Sequence, residues 1–300
     1  MTDPLAHLLR VLDLEALGAV EQASAGALVG DDLFRGESVH QPNGRVYGGQ
    51  VLAQALVAAQ RTLADHASRA PHSLHGYFLR PGDLSVPIDF TVERLRDGGS
   101  FSARRTHAVQ HGRPILSMIT SFQELQGGAE LAGEAPAAPA PEDVPSAADV
   151  LGGIDHPYAR HWSDDSAFEL RHVDGSLYLR PPAPSERQLV WLRARGPVPD
   201  DPFLHRALLL YACDQVMLEP VLRAEGVAWP TPGLSVASLD HAMWWHRDVR
   251  VDEWLLFEQT AVSAQGGRGL GAARVWSPDG RLVASMGQEG MIRVPAADAR

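Results

Sequence analysis

The sequence contains no lysine: all 26 of its basic residues are arginine. That excludes a Walker A phosphate loop, Schiff-base chemistry and any lysine nucleophile or base. There is one cysteine, Cys213, which rules out an internal disulfide framework and a cysteine zinc cluster and fits a reducing compartment. No apolar run approaches the roughly 18 residues that a membrane span needs. Met1-Thr-Asp-Pro-Leu-Ala-His has neither the basic region nor the apolar core of a signal peptide, and Ala297-Asp-Ala-Arg300 is not a peroxisomal Ser-Lys-Leu address. A cytoplasmic protein without a membrane span is expected. Basic charge is also in deficit. With 37 acidic residues against 26 basic ones the net charge is −11, which argues against non-specific binding to nucleic acid.

What is present fits a globular protein. The chain has 300 residues, 45% hydrophobic and 21% charged, enough for one large domain or two smaller ones with a substantial core. Asp3-Pro4 starts a helix carrying Leu5, Leu8, Leu9 and Leu12. Residues 18–32 are weakly patterned and read as a loop. Tyr47-Gly-Gly-Gln leads into a long helix over 49–64, apolar nearly all round, as a helix buried inside a sheet would be. Strands are predicted over 73–80, 87–96, 101–110 and 114–123, with Asp97-Gly-Gly and His111-Gly as hairpin turns. Pro136, Pro139, Pro141 and Pro145 among Ala, Glu and Gly mark a linker, 127–158. Two units are expected, 1–126 and 159–300. In the second, strands are predicted over 168–173, 187–195, 235–246, 253–264, 270–277 and 282–292, and a helix over 203–223.

The chain is doubled. At an offset of 168, Gly98-Gly99 falls on Gly266-Gly267, Gly112-Arg113 on Gly280-Arg281, and Ser117-Met118 on Ser285-Met286. At a slightly different offset His75 falls on His241. Each half runs from a long apolar helix into antiparallel strands, an α+β layering in which a sheet covers a helix.

Several groups invite a chemical reading. Asp214 falls inside the apolar helix 203–223, where a carboxylate is costly unless partnered. The pattern alone leaves a functional role and an exposed place on an amphipathic helix equally open. Cys213, next to this anion, reads as a small core residue. Gly267-Arg-Gly-Leu-Gly-Ala-Ala-Arg lies between strands and reads as a hairpin, since Arg274 stands where a dinucleotide loop needs glycine. No Gly-x-Ser-x-Gly elbow occurs. His241 and His246 are five apart on one strand and face opposite ways, so a shared metal is not expected and no cofactor is called for. Asp240, in phase with Ser238 along that strand, is a second candidate acid. Trp244 and Trp245 face opposite sides, one of them into the core.

Eight stretches resemble the acyl-CoA thioesterase II family, the TesB-like double hotdog hydrolases. In the first half they are Leu33-Phe-Arg-Gly, Val46-Tyr-Gly-Gly-Gln-Val, Tyr77-Phe-Leu-Arg-Pro-Gly-Asp and Leu95-Arg-Asp-Gly-Gly-Ser-Phe-Ser-Ala-Arg-Arg. In the second they are Arg195-Gly-Pro-Val-Pro-Asp-Asp, Leu239-Asp-His-Ala-Met-Trp-Trp-His-Arg, Asp252-Glu-Trp-Leu-Leu and Gln288-Glu-Gly-Met-Ile-Arg. The resemblance implies a hotdog in each half, hydrolysis of fatty acyl-CoA thioesters, and an Asp, a hydroxyl and a Gln that position a water. These fall on Asp214, Ser238 (where Thr is commoner) and Gln288. An edge-exposed sheet and the resemblance suggest a homodimer or homotetramer.

Gly48 and Gly49 open the first-half helix where the second half has its acid. The first half is therefore expected to line substrate or serve structure, with one active centre per chain. Substrate-binding candidates are Gly48, Gly49, His241 and the arginines Arg80, Arg104, Arg105 and Arg247, which would have to hold anionic CoA on an acidic protein. Two other readings are an enoyl-CoA hydratase or dehydratase on the same fold, and a non-catalytic acyl-CoA binding module. The first needs a helix His that is absent near Asp214; the retained Asp, hydroxyl and amide argue against the second.

Overall fold

Gly49 to Ala59 forms an unbroken buried stretch of helix α2, Gly48–Arg61, whose lack of a polar face leaves it nowhere to go but beneath a sheet. The computed structural model describes residues 3–19, 30–65, 68–180 and 183–294. They form two compact units. One comprises 1–131, 201–213 and 242–245; the other comprises 132–200, 214–241 and 246–300. The units thus interleave along the chain.

The first unit opens with helix α1, Pro4–Leu12, capped by Asp3, whose carboxylate accepts the Leu5 N–H at 2.9 Å. Strands β1 (Glu15–Ala19) and β2 (Asp32–Gly36) precede α2. Strands β3 (Arg69–Phe78), β4 (Ile88–Asp97), β5 (Phe101–Gln110) and β6 (Arg113–Glu124) follow it. They hydrogen-bond antiparallel in the order β1-β2-β4-β5-β6-β3. Part of the span read as a loop, 18–32, is therefore strand, since Gly18 and Ala19 pair with Leu33 and Asp32; residues 20–29 lie outside the described residues. β1 is exposed along its whole length, so it carries no alternation to read.

The proline-rich segment has no regular structure from 125 to 140, but beyond that it folds. Helix α3 (Ala147–Leu151) is closed by a reciprocal capping box between Ser146 and Asp149, and α4 (Pro157–Arg160) starts on a proline. Ala147, Leu151 and Ala159 then pack with Tyr178 in a small core. The segment is held down by Arg171, which donates to the Pro141 and Val144 carbonyls at 2.7 and 3.1 Å.

In the second unit β7 (Phe168–His172) and β8 (Arg187–Ala194) come first. Helix α5, Pro202–Cys213, groups with the first unit. There Gly49 lets α2 approach it: a Cβ at Gly49 would stand 2.2 Å from the Tyr211 carbonyl oxygen, which also accepts the Tyr47 hydroxyl at 2.8 Å. Then come α6 (Glu219–Ala224), β9 (Ser235–Ser238), β10 (Asp240–Trp245), β11 (Leu255–Gln265), β12 (Arg268–Trp276) and β13 (Leu282–Arg293). The order is β13-β12-β11-β8-β7, with β9 also on β13. α6 packs on this sheet, where Leu218, Val221, Leu222 and Ile292 share a core with Leu177 and Val227.

The doubling extends to the register. Thr106 pairs with Met118 in one unit as Ala273 pairs with Met286 in the other, and Arg104 pairs with Thr120 as Gly271 pairs with Gln288. Gly266 and Gly267 both have positive φ, as the hairpin reading of that stretch requires. His75 and His241, equivalent by offset, differ in burial: His75 is exposed beside Trp244, His241 is 1% exposed.

Candidate active site

The site begins where a helix stops. Asp201 caps α5 by accepting the Phe203 N–H at 2.9 Å, and His205 to Cys213 are all buried. The expected helix over 203–223 does not run through: α5 ends at Cys213, and residues 214–218 form a turn before α6. Pro220 is the physical reason. It lies in the first turn of α6, and its ring would clash with the carbonyl four residues back, at Val216. The Val216 carbonyl instead accepts Gln259 Nε2 at 2.9 Å. The Met217 carbonyl rests on Gly271, where a Cβ would lie 2.1 Å away. Asp214 is therefore the first residue of a turn, half-buried, and not a mid-helix carboxylate.

Two strand residues face it. Ser238 closes β9 opposite Gly290, and Gln288 sits on β13 opposite Gly271. Gln288 Nε2 donates to Asp214 Oδ1 at 2.8 Å and to Ser238 Oγ at 2.9 Å, and Ser238 Oγ donates to the same Oδ1 at 3.2 Å. The triad therefore closes on itself, with two donors converging on one carboxylate oxygen. Behind it, Gln288 Oε1 lies 2.6 Å from His241 Nδ1. Gln288 and His241 are 0% and 1% exposed, whereas Asp214 and Ser238 are half-buried, so the carboxylate and hydroxyl form the accessible side.

Burial holds the His241 imidazole below its usual pKa, against the opposing pull of its hydrogen bond to Gln288 and of the Asp214 and Asp240 carboxylates. Asp240, expected in phase with Ser238, is not a second acid at this site. β9 ends at Ser238 and β10 begins at Asp240, and the interruption at Leu239 breaks the alternation. Asp240 Oδ1 instead accepts the Glu289 backbone N–H at 2.8 Å.

A second buried polar group supports the turn. Glu219 Oε2 lies 2.8 Å from His172 Nε2 and accepts Gln188 Nε2 at 2.9 Å, while Trp229 Nε1 donates to Oε1 at 3.0 Å. Gln188 Nε2 also donates to Gln259 Oε1 at 2.8 Å, linking this cluster to the side chain that holds Val216. His172 and its hydrogen-bond donors hold the Glu219 carboxyl below its usual range despite burial. Neither Gln259 nor Gly271 was marked by sequence reasoning; Pro220 inside an assumed helix was the available signal.

The other candidates are placed as follows. Arg104 is 1% exposed and spent inside its own unit, donating to Thr62 Oγ1 and Asp97 Oδ1 at 2.7 Å each; the alternation of β5 turns it inward with Ser102 and Thr106, so it is not a substrate ligand. Arg105 pairs with Glu93 at 3.1 Å. Arg80 is exposed and donates to the Pro114 carbonyl at 2.7 Å, and Arg247, half-buried, donates to the Leu282 carbonyl at 2.8 Å. Gly48 and Gly49 begin α2, with Gly49 occupied by helix packing. His241 lies behind Gln288, too buried to line a substrate path. Cys213 is buried, its Sγ donating to the Leu210 carbonyl at 3.1 Å, and Trp245 is 5% exposed against 40% for Trp244. No helix among the described residues is long and apolar enough to cross a membrane.

Known proteins resemble this chain in sequence and architecture. Residues 37–123 match the family model described as acyl-CoA thioesterase N-terminal domain, and residues 133–292 match acyl-CoA thioesterase C-terminal domain. Acyl-CoA thioesterase 2 of Haemophilus influenzae is 35% identical over 303 residues, covering 98% of this chain and 99% of the relative. Acyl-coenzyme A thioesterase 8 of Homo sapiens is 35% identical over 276 residues, covering 88% and 85%. Among solved structures, an acyl-CoA thioesterase II from Mycobacterium marinum superposes with a TM-score of 0.73 at 39% identity, covering 96% of this chain and 99% of that one. A hot dog protein from Alicyclobacillus acidocaldarius shares the fold, with a TM-score of 0.74 at 18% identity over 97% and 99%. The architecture is the double hotdog, in the α+β class.

Proposed function

Because the chain belongs to the TesB-like acyl-CoA thioesterase II family and is a thioester hydrolase, we propose that it cleaves acyl-CoA at Asp214, Ser238 and Gln288. The observation that supports this reading is the convergence of the Gln288 amide and the Ser238 hydroxyl on one oxygen of the half-buried Asp214 carboxylate. In the reaction a water enters beside that carboxylate. Asp214 accepts its proton as the oxygen attacks the thioester carbonyl. Ser238 and Gln288 fix the carboxylate and the line of approach, so that little orientation has to be won at the moment of reaction. The tetrahedral adduct collapses with cleavage of the C–S bond. The sulfur of CoA takes up a proton and the acyl group leaves as a carboxylic acid.

The register supports one centre per chain. Where the second unit pairs Gly271 with Gln288, the first pairs Arg104 with Thr120, and the Arg104 side chain fills the space against Thr62 that a descending turn would need. The substrate class is fatty acyl-CoA, with Arg80, Arg105 and Arg247 as candidate partners for its anionic groups. The same reading has the protein acting in the cytoplasm, in fatty acid metabolism, as a homodimer or homotetramer.

Release of free CoA thiol from medium- and long-chain acyl-CoAs tests the assignment. Asp214→Asn should fold and lose most turnover. Undiminished release by that variant would falsify the assignment.

A further inference from the structure

A carboxamide is nearly symmetric in shape but not in chemistry. Turned over, Gln288 would set its carbonyl oxygen against the Asp214 carboxylate and the acceptor side of Ser238, and the triad would repel where it now bonds. Gln288 is 0% exposed, so water is not at hand to decide the matter. One contact does. His241 Nδ1 stands 2.6 Å from Oε1, and an N–H there can be satisfied only by the oxygen end of the amide. The tautomer and the amide select each other: with the proton on Nδ1, the NH₂ group must face Asp214 and Ser238.

The chain reaches this arrangement through a local departure from strand geometry. Ser238 and His241 are three residues apart, and in an unbroken strand they would point to opposite faces. The interruption at Leu239, whose N–H is taken by the Glu289 carbonyl at 2.9 Å, resets the alternation. Both side chains then meet the same amide from two sides, Ser238 Oγ at Nε2 and His241 Nδ1 at Oε1.

We propose that His241 is a positioning residue for thioester hydrolysis: by donating from Nδ1 it holds the Gln288 carboxamide in the one orientation that serves Asp214 and Ser238. It acts on the reaction through Gln288. This inference rests on the site assigned above.

The test is a set of variants assayed for kcat and KM by CoA thiol release, with thermal melts to follow folding. His241→Leu removes the donor and keeps the bulk; kcat should fall by about 10- to 100-fold, the scale of a misplaced group near the chemistry, with KM little changed. His241→Asn places an N–H where Nδ1 stood and should recover most of that loss. His241→Gln places its N–H further out, where Nε2 stood, and should not. In a Gln288→Ala background, His241→Leu should cost nothing more. Should His241→Leu fail to fold, the contrast between Asn and Gln carries the test. Wild-type kcat in His241→Leu, an Asn variant as impaired as the Gln variant, or a further loss in the Gln288→Ala background overturns the proposal. Full activity in Gln288→Ala alone removes the site reading itself, and is distinguishable from failure of the His241 role, in which Gln288→Ala is impaired and His241→Leu is not.

Discussion

Gly271 stands directly opposite Gln288 in the β12–β13 ladder, and the Met217 carbonyl oxygen occupies the space where its side chain would be, 2.1 Å from an ideal Cβ. One glycine therefore does two things. It lets the turn after α5 descend onto the sheet, and it does so beside the amide that Asp214 must reach. Gly269 and Gly290 continue the same bed, under Val221 and Leu218.

Gly271→Ala should push that turn off the sheet, because the neighbour in the way is backbone and cannot rotate aside. The expected result is a stability loss of about 1–3 kcal/mol, as for an overpacked core. A fall in kcat larger than the fraction unfolded should accompany it. Denaturant unfolding together with CoA release measures both; an alanine variant with native turnover and stability would contradict the tight contact.

Arg104→Ala should act on stability alone. Its guanidinium is buried and bonded to Thr62 and Asp97, so truncation leaves the Thr62 hydroxyl and backbone acceptors without a donor, a cost of about 3 kcal/mol. Measured below its lowered Tm, the variant should keep the wild-type KM for acyl-CoA. A raised KM with an unchanged melt would return Arg104 to the list of CoA ligands.

Stability should depend on pH through His241. Burial lowers its folded-state pKa, so between the ordinary imidazole range and that lower value the unfolded chain binds more protons than the folded one. The contribution is fully present above about pH 6.5, the unperturbed imidazole value, and is lost as pH falls through the folded pKa. Unfolding free energies of the wild type should therefore drop from pH 7 toward pH 5 more steeply than those of His241→Asn, which has no proton to take up. Parallel curves for the two proteins would show that His241 does not titrate differently on folding.

Much of this architecture is legible in the residues. The paired glycines at 98–99 and 266–267 mark equivalent hairpins, and β4, β5, β6, β11, β12 and β13 lie within a few residues of where alternation places them. Asp214, Ser238 and Gln288 were reached by resemblance, since no spacing within the chain links positions 24 to 74 residues apart. What escaped did so for physical reasons. The break after Cys213 lies inside an apolar stretch, and periodicity cannot see a helix end set by Pro220 and by the contacts of the turn with Gln259 and Gly271. Arg104 and Arg105 are adjacent and chemically identical, yet one is core and the other half-exposed; strand parity separates them without saying which face is inside. The exposed strand β1 is held by its pairing with β2 and has no apolar face to announce it.

The interruption at Leu239 makes the stretch from Ser238 to His241 a ruler of set length. Deleting or inserting a single residue there would trade His241 for a neighbour of opposite facing while leaving every residue of the site present in the sequence. Such a chain would keep the full inventory of catalytic side chains and lose the arrangement, so a family member can be judged competent only when the count between hydroxyl and imidazole is kept as well as their identities.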